Sequence, residues 1–374
     1  MPSSAAREAA LRFERGSIKV TRLALLGEIA APYRVPLYNA LAQRLTFRAL
    51  FLAETDPRRA YYRLDPDEVR FDMRVLRGRQ LRHGGRWIVL SRGVIRELER
   101  FDPDVVGVGG WNQPAFWQAL AWCKTRRRKL VLWIESTAHD TRSEARALEW
   151  AKRALVRAAD GYFVPGAAAK EYALALGAPE DRLVVAPNAA DASVYGAAAV
   201  DRRGRERCTF LYAGRLDREK GLDTLLRAFA NVPGELLVAG SGSEEKRLRA
   251  LAGDRVRFTG AVGREEIVRL LAEADVFVLP SRSEPWGMVL NEAAEAGLPL
   301  VATDGVGAAS DLIEEDGNGF RVRVDDERGL VEAMRRLAED APLRARMGAR
   351  SREIVASFTP AAWADAVAQL AEPS

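Results

Sequence analysis

The sequence predicts two α/β domains in tandem, each built on a doubly wound parallel sheet. Short apolar segments rich in β-branched residues alternate with helical patterns along the whole chain, and parallel strands need such crossover helices. The 374 residues are too many for one ordinary domain and suit two. A stretch without apolar periodicity, GAAAVDRRGRER at 196–207, divides the alternation and is the predicted linker.

The first predicted domain, residues 18–195, follows an N-terminal tail at 1–17. Its strands are expected at 19–26, 46–53, 104–108, 130–134 and 161–164. Its helices are expected at 35–44, 91–100, 115–127, 143–158 and 167–176.

The second predicted domain, residues 208–356, repeats the alternation. Its strands are expected at 208–213, 235–239, 256–258, 276–279 and 298–302, and its helices at 221–230, 244–252, 264–273 and 289–296. A helix near 360–370 ends the chain, and we expect residues 357–374 to pack back on the first domain. Because ligands bind such sheets at the carboxyl ends of the strands, the two domains should face each other across a cleft.

Composition and charge exclude several classes of protein. With 48% hydrophobic and 29% charged residues, the chain is neither disordered nor fibrous. Residues 1–195 hold 32 Lys and Arg against 22 Asp and Glu, a net charge of +10. The whole chain carries +5, so residues 196–374 carry a net charge of −5. A basic first half suits a phosphorylated substrate or an anionic membrane. The sequence contains no basic run interleaved with aromatic residues, so binding to nucleic acid is not expected.

Cysteine usage and the N-terminus indicate the compartment. Cys123 and Cys208 lie far apart, so neither a disulfide framework nor a zinc site is expected. The N-terminus lacks the apolar stretch of a secretory signal, which predicts a cytoplasmic protein. Two Asp-Pro-Asp sequences, at 65–67 and 102–104, look like proline turns rather than metal ligands. We therefore expect neither a metal nor a cofactor.

The segment AGRLDREKG, residues 213–221, follows a predicted strand and opens a helix. Gly214 permits close approach of the backbone. Arg215 and Lys220 place two cations beside a helix N-terminus, whose amide groups and dipole already attract anions. This combination suits a diphosphate, although a solvated turn that happens to be charged would explain the same residues.

Two further loops follow predicted strands. The GSGS sequence at 240–243 supplies Gly240 and Gly242, which suit either a phosphate or only a tight turn. The segment PSRSEPWGMVLNEAAEAG, residues 280–297, places Glu284 in a loop and Glu292 in the first turns of a helix. Two carboxylates beside one crevice suit the hydroxyls of a sugar and a ribose. A favourable first-turn charge and a surface acid would explain them as well.

In this order and spacing, these segments and RVRFTGAVGREE at 255–266 resemble the retaining glycosyltransferases of family 4, which have the GT-B fold. The resemblance is close over about residues 160–340 and loose over 18–159. It implies that Arg215 and Lys220 hold the diphosphate of a nucleotide-sugar donor and stabilise the leaving group in place of a metal. It implies that Glu284 lies against the donor sugar and that Glu292 accepts from the ribose hydroxyls. The remaining implied donor contacts are backbone groups of Trp286, Gly287 and Met288 on the sugar, and those near Val262 on the base.

The first half departs from the family pattern after the strand predicted at 130–134. Relatives often carry a histidine at the end of that strand, where this chain has Glu135, and His139 follows four residues later. Either His139, from a displaced loop, or Glu135 would then face the donor sugar. His139 is included with Arg215, Lys220 and Glu284 among the candidate catalytic residues.

The acceptor is less clearly marked. Trp111, Trp117 and Trp122 precede a basic stretch at 124–129. Aromatic residues beside cations suit the interface of an anionic bilayer or a lipid-pyrophosphate acceptor. Core tryptophans followed by a solvated helix end explain the pattern equally well.

Taken with the resemblance, the sequence predicts a retaining, metal-independent glycosyltransferase. It would move a sugar from a nucleotide-sugar donor to a glycan or lipid-linked glycan, in bacterial cell-surface polysaccharide or glycoconjugate synthesis, in the cytoplasm or at the inner face of the membrane. The alternatives are a nucleotide-sugar epimerase of the same architecture and a non-catalytic subunit that binds a nucleotide sugar.

Overall fold

The computed structural model describes residues 21–55, 64–83, 86–139, 146–200 and 207–372. These residues contain a seven-stranded and a six-stranded sheet, both parallel, and a two-stranded antiparallel hairpin. The fold class predicted from the alternation of strands and helices is therefore confirmed. The predicted tail at 1–17 and residues 201–206 of the predicted linker lie outside the described residues.

The first sheet has a switch point near its centre. The strands up to residue 185 are β1 Arg22–Ile29, β2 Thr46–Ala53, β3 Asp72–Val75, β4 Gly78–His83, β5 Arg86–Ser91, β6 Val105–Val108, β7 Lys129–Trp133, β8 Gly161–Val164 and β9 Leu183–Val185. β4 and β5 form the hairpin, and the other seven strands are ordered β3-β2-β1-β6-β7-β8-β9. Because the chain runs outward in opposite directions from β1 and β6, a crevice forms at their carboxyl ends.

The helices of this half are α1 Val35–Ala42, α2 Val94–Phe101, α3 Pro114–Arg126, α4 Arg146–Ala158, α5 Ala167–Leu176 and the short α6 Ala192–Tyr195. The β4–β5 hairpin, which the sequence pattern does not predict, displaces the start of α2. Ser91 belongs to β5, and the backbone N–H of Arg92 donates to the carbonyl of Arg77 at 2.8 Å. The helix predicted from residue 91 therefore begins at Val94.

The second sheet repeats the arrangement. Its strands are β10 Thr209–Ala213, β11 Glu235–Ala239, β12 Val256–Gly260, β13 Val276–Leu279, β14 Leu300–Thr303 and β15 Gly319–Val322, in the order β12-β11-β10-β13-β14-β15. Its helices are α7 Leu222–Phe229, α8 Glu245–Leu251, α9 Arg264–Glu273, α10 Met288–Glu295, α11 Ala309–Leu312, α12 Glu327–Glu339 and α13 Ala341–Val355. The central strand β13, VFVL, is buried throughout, as expected for a parallel strand covered on both faces. The switch point lies between β10 and β13.

The chain passes between the two sheets twice, after β9 and after α13. After the second passage, the last helix, α14 Pro360–Gln369, lies against the first sheet. Its Trp363 is fully buried, with ring centroids 5.6 Å from Trp133, 6.0 Å from Tyr38 and 6.2 Å from Phe163. This aromatic cluster binds the end of the chain to the first half and so closes the connection between the two halves.

Candidate active site

Two loops of the second sheet meet at its switch point. β10 pairs with β13, so the loops after these strands, 214–221 and 280–287, leave from neighbouring carboxyl ends. The carbonyl of Glu219 accepts from the backbone N–H groups of Arg282 at 2.8 Å and Ser283 at 3.3 Å. These bonds hold one loop against the other and bring together side chains that are distant in the sequence.

Lys220 and Glu284 form an ion pair between the two loops. The Lys220 Nζ donates to Glu284 Oε2 at 2.5 Å, and Lys220 is buried whereas the Glu284 side chain is 23% exposed. Backbone bonds fix Glu284: its N–H donates to Gly305 and its carbonyl accepts from Gly307, each at 2.9 Å. An ammonium has three donors, so one buried cation can serve Glu284 and a further anion.

Arg215 lies on the rim of the same loop and is paired with two acids. Its guanidinium forms ion pairs with Asp217 and, at 2.8 Å, with Glu219. The hydroxyl of the buried Tyr212 donates to the Arg215 carbonyl at 2.6 Å and so fixes the backbone. The two cations of the AGRLDREKG segment are thus neutralised by carboxylates of the protein itself. An incoming dianion would compete with those carboxylates for them.

The GSGS loop is packed against the Arg215 loop by its backbone. A Cβ atom at Gly240, which has φ +137°, would lie 1.8 Å from the Gly214 carbonyl oxygen, and one at Gly242 would lie 2.5 Å from the Leu216 carbonyl carbon. The close approach of the two backbones explains why both positions are glycine, as the tight turn considered from the sequence also does. A role for Gly214, Gly240 and Gly242 in phosphate contact stays a prediction.

Asp217 joins these two loops through its side chain. Its Oδ1 accepts from the Ser243 backbone N–H at 3.1 Å and from the Ser243 hydroxyl at 2.9 Å. Burial alone would raise the pKa of Asp217, but the two bonds from Ser243 and the positive charge of Arg215 outweigh it, so the pKa is lowered. The carboxylate that orients Arg215 is therefore itself held in place by the GSGS loop.

The residues after Glu284 turn into helix α10. Gly287 adopts φ +96° immediately before the helix, a left-handed conformation that favours glycine. Met288 packs against the core of the second half, and Trp286 is buried with its carbonyl accepting from Ala308 at 2.9 Å. The backbone contacts to a sugar that the resemblance implies for these three residues stay a prediction.

The Trp286 indole begins a chain of hydrogen bonds that crosses to the first sheet. Its Nε1 donates to Asn291 Oδ1 at 2.8 Å, and Asn291 Nδ2 donates to the carbonyl of Asn188 at 2.9 Å. The Asn188 side chain donates in turn to Glu135 Oε1 at 3.3 Å. We call these four residues, with the Arg34 that forms an ion pair with Glu135, the interdomain relay. It connects the Glu284 loop to the carboxyl end of β7.

Sequence reasoning missed the interdomain relay, although one signal was present. Asn291 is completely buried on the face of α10 that otherwise carries Leu290, Ala293 and Ala294. A polar side chain on an apolar helix face must find partners when it is buried. Here those partners are a tryptophan N–H and a backbone carbonyl.

The structure distinguishes Glu135 from His139, the two residues of the first half that the sequence offers as contacts for the donor sugar. Glu135 lies two residues after the end of β7. Its side chain, 30% exposed, is fixed by Asn188 and by Arg34, whose guanidinium lies 4.0 Å from the Trp133 ring centroid. His139 is exposed at the end of a described segment. Within the described residues no hydrogen bond or ion pair joins His139 to this site, so its catalytic role stays a prediction.

Glu292 lies on α10 and shares a hydrogen bond with Tyr195. Burial raises the pKa of the Glu292 carboxyl to about 7, against the opposing effects of the Tyr195 hydrogen bond and the charge of Arg264. Arg264 makes two bonds, at 2.7 and 3.0 Å, to Glu68 of the first half. Val262, two residues before Arg264, packs partly buried against the core of the second half.

The two Asp-Pro-Asp sequences have structural partners. Asp65 caps a turn by accepting from the Asp67 backbone N–H at 3.0 Å. Asp102 and Asp104 both form ion pairs with Arg128. Across the described ranges, no group of three or more His, Cys, Asp or Glu residues is placed to hold a metal ion.

Comparison with protein families decides the affiliation. A family model described as Glycosyltransferase Family 4 matches residues 37–194, and one described as Glycosyl transferases group 1 matches residues 200–354. The chain belongs to glycosyltransferase family 4. The two sheets with switch points facing a common boundary are the GT-B fold of that family.

Curated relatives of this family 4 member resemble part of it. The lipopolysaccharide core biosynthesis glycosyltransferase LpsE of Rhizobium meliloti is 36% identical over 164 residues, 42% of this chain and 47% of the relative. Sulfoquinovosyl transferase SQD2 of Arabidopsis thaliana is 29% identical over 286 residues, 71% of this chain and 56% of the relative. The matched segments thus span about half the length of these relatives.

Solved structures match the family 4 chain over nearly its whole length. The Anabaena protein HepE, solved in complex with UDP and glucose, has a TM-score of 0.73 at 18% identity, over 93% of this chain and 98% of HepE. At this identity the likeness concerns the fold.

Among the residues that the structure describes, none of the helices is both long and apolar enough to cross a bilayer.

The Trp286–Asn291 bond predicts a coupling that can be measured. Replacing Asn291→Leu leaves the Trp286 N–H and the Asn188 carbonyl buried without their partner, which should lower the free energy of unfolding by about 1–3 kcal/mol. Adding Trp286→Phe removes the orphaned N–H and should recover part of that loss. Urea unfolding of the two single variants and the double variant measures the coupling. Strictly additive losses would contradict the proposed bond.

The raised pKa of Glu292 predicts a pH dependence of stability. The carboxyl binds its proton more tightly when folded than when unfolded, so its contribution to stability is greatest below about pH 4.5 and is lost as the pH rises to about 7. Carboxyl-carbon NMR should give a pKa of about 7 for Glu292. Tyr195→Phe should raise it further because a bond to the ionised form is lost. A Glu292 pKa near its ordinary value of 4.5 would refute the assignment.

Proposed function

We propose that the protein is a retaining glycosyltransferase that uses a nucleotide-sugar donor and requires no metal. The observation that carries this proposal is the buried Lys220–Glu284 pair beside Arg215, at the carboxyl ends of β10 and β13. A sugar diphosphate presents a dianion next to a ring of hydroxyls. The site offers the matching pattern, two cations followed by a fixed carboxylate.

The two cations act on the leaving group. On donor binding, the oxygens of the diphosphate compete with Asp217 and Glu219 for Arg215, and they accept from a further N–H of Lys220, which keeps its bond to Glu284. As the bond between the anomeric carbon and the phosphate oxygen breaks, negative charge develops on the diphosphate, and both cations stabilise it. Because Lys220 is buried, its charge is only weakly screened by water and acts strongly on that oxygen.

Attack occurs on the face from which the diphosphate departs. The acceptor hydroxyl forms its bond to the anomeric carbon on the side of the leaving group, and its proton passes to the departing phosphate oxygen. The new bond therefore has the configuration of the old one. Glu284, fixed by Gly305 and Gly307, accepts a hydrogen bond from a hydroxyl of the donor sugar and holds the ring in place.

The nucleoside would lie beside α10 and α9. Glu292 accepts from the ribose hydroxyls in its ionised form, which its pKa of about 7 makes predominant above neutral pH. The base would lie near the backbone of Val262. Gly214, Gly240 and Gly242 would leave room for the phosphates beside the loops that they join.

The acceptor is a glycan or lipid-linked glycan, and the process is bacterial surface polysaccharide or glycoconjugate synthesis at the inner face of the membrane. The relative LpsE, a glycosyltransferase of lipopolysaccharide core biosynthesis, supports this setting. So does the outer side of the β4–β5 hairpin and α2, which exposes Leu81, Leu90 and Ile95 beside exposed arginines at 79, 92 and 96. We therefore expect the protein to sediment with vesicles of the anionic lipid phosphatidylglycerol and not with vesicles of the zwitterionic lipid phosphatidylcholine.

The function is tested by donor turnover without acceptor. A panel of nucleotide sugars is incubated with the protein in EDTA, and release of nucleoside diphosphate is followed by mass spectrometry. We expect slow, donor-selective release that persists in EDTA and falls by about 100- to 1,000-fold in Lys220→Ala, with a similar loss in Arg215→Ala. Glu284→Gln should also lower it.

Lys124→Ala is the matched control, since Lys124 is an exposed lysine of α3 paired with Asp160. Release of nucleoside diphosphate by Lys220→Ala at the wild-type rate would show that Lys220 does not stabilise the leaving group. A changed sugar with no nucleotide released would indicate an epimerase. Donor binding with no release under any condition would indicate a binding subunit.

A further inference from the structure

Arg282 lies in the loop after β13, two residues before Glu284. It is an arginine beside a proposed diphosphate site, so a direct contact with the donor is the first role to consider. Its side chain is only 24% exposed, and all three nitrogens of its guanidinium already bind acceptors of the protein. The guanidinium is therefore committed to the protein itself and is not open to a ligand.

Two carboxylates neutralise Arg282. Its Nε lies 2.8 and 2.9 Å from the two carboxylate oxygens of Asp325, and its Nη2 lies 2.9 Å from Asp223 Oδ1. The bond from Arg282 is the largest of the effects that lower the pKa of Asp325. Burial alone would raise the pKa of Asp223, but the charge and hydrogen bond of Arg282, with smaller effects, outweigh it. A cation shared by two ionised acids has little attraction left for a diphosphate.

Further contacts of Arg282 are with the turn that carries Lys220. Its Nη1 donates to the carbonyl of Arg218 at 2.7 Å, and its backbone N–H donates to the carbonyl of Glu219 at 2.8 Å. Arg218 and Glu219 are the two residues directly before Lys220. The main chain and the side chain of Arg282 thus both hold the backbone of this turn.

Helix α7 and the loop after β15 anchor Arg282 from the other side. Thr224, buried in the first turn of α7, has its Oγ1 3.2 Å from Arg282 Nη2 and donates at 2.8 Å to Asp325 Oδ1. Asp325 lies in the loop after β15 and has φ +59°, a left-handed conformation. We call Arg282, Asp223, Thr224 and Asp325 the loop clamp. It joins the loop that carries Glu284 to the start of α7 and to the loop after β15.

The loop clamp fixes the distance between the backbones of Lys220 and Glu284. Lys220 lies two residues after Arg218, and Glu284 lies two residues after Arg282. The ion pair alone would set this distance poorly, because the Lys220 ammonium sits on a flexible stem and would also serve the diphosphate. A misplacement of about 1 Å can cost about 100-fold in rate. A separate device that holds the two backbones is therefore of direct use to the reaction.

We propose that Arg282 is a positioning residue for sugar transfer, which holds Lys220 and Glu284 at the separation that the transition state requires and does not touch the donor. The proposal rests on the proposed function, in which Lys220 stabilises the leaving group. Because Arg282 acts through Lys220 and Glu284, its loss should slow the chemical step and leave donor binding nearly unchanged. Release without acceptor is slow, so its KM reports donor binding.

The test measures kcat and KM for nucleoside diphosphate release without acceptor. Arg282→Gln should lower kcat by about 10- to 100-fold and change KM by less than about threefold. Arg350→Gln is the matched control. Arg350 is an arginine of α13 that is likewise paired with two acids, Glu314 and Glu353, and its variant should behave as the wild type does.

A double-mutant cycle separates positioning from a general loss of structure. If Arg282 acts through Lys220, adding Arg282→Gln to Lys220→Ala should lower kcat by less than about threefold further. A further loss as large as that in the wild-type background would overturn the proposal. Should Arg282→Gln fail to fold, Asp325→Asn takes its place in the same cycle. Asparagine tolerates the left-handed backbone but removes the charge that holds the guanidinium.

Other outcomes decide between the clamp and the proposed function. An unchanged kcat in Arg282→Gln rejects only the positioning role, and a raised KM at unchanged kcat rejects it by making Arg282 a donor ligand. If the wild type releases nothing from any donor, the proposed function fails, and amide hydrogen exchange then tests the clamp. Faster exchange in Arg282→Gln at 214–221 and 280–287 alone would retain the clamp, whereas unchanged exchange would reject it too.

Discussion

The ion pair between Lys220 and Glu284 is the interaction on which the candidate site depends. A buried ammonium loses much of its hydration, and a carboxylate at 2.5 Å compensates for part of that loss. The pair exists because β10 and β13 are neighbours in the sheet although 64 residues separate the two side chains. Topology thus assembles a charge arrangement that no local segment contains.

The pair also explains how an enzyme could keep a cation ready for an anionic substrate. In the structure each cation is matched by carboxylates of the protein, so the site by itself carries no large unbalanced charge. Asp217 is held by Ser243, and Glu284 by the backbone of Gly305 and Gly307, so these acids stay in place when the cations turn to a ligand. The resulting site is arranged before the charge of the leaving group develops, which is what electrostatic catalysis requires.

The interdomain relay extends this arrangement to the first half. Trp286 is two residues from Glu284, and its bond through Asn291 reaches Asn188, where the chain passes between the sheets. Asp311 adds a second connection, since its carboxylate accepts at 3.1 Å from the Ala167 backbone N–H at the start of α5. The loop that holds Glu284 is therefore connected to the contact between the two halves. Any change in their relative orientation acts directly on that loop.

Much of this architecture follows from sequence because parallel strands are buried on both faces and appear as continuous apolar runs. The strands ending at Val108, Val164 and Leu279 are such runs and were predicted within one residue. The β4–β5 hairpin was missed because exposed polar residues of β4, such as Arg79 and Gln80, hide the alternation. The edge strands β3, β9 and β15 have only three or four residues, too few for a periodic signal.

The candidate site was predictable where one segment carries its own chemistry, as with Arg215 and Lys220. It was not predictable where partners come from distant segments. The contact of Asn291 with Asn188 depends on how the two halves meet. The ion pair of Glu135 with Arg34 joins two segments of the first half that are 101 residues apart. Local patterns contain no information on either contact.

The most direct test of this account is a crystal structure of the protein with bound UDP or GDP. The account predicts that the Lys220 Nζ and the Arg215 guanidinium each lie within about 3.2 Å of a phosphate oxygen, with the Glu284 carboxylate still held beside them. A diphosphate bound elsewhere, with Lys220 paired to Glu284 alone and Arg215 to its own acids, would contradict it.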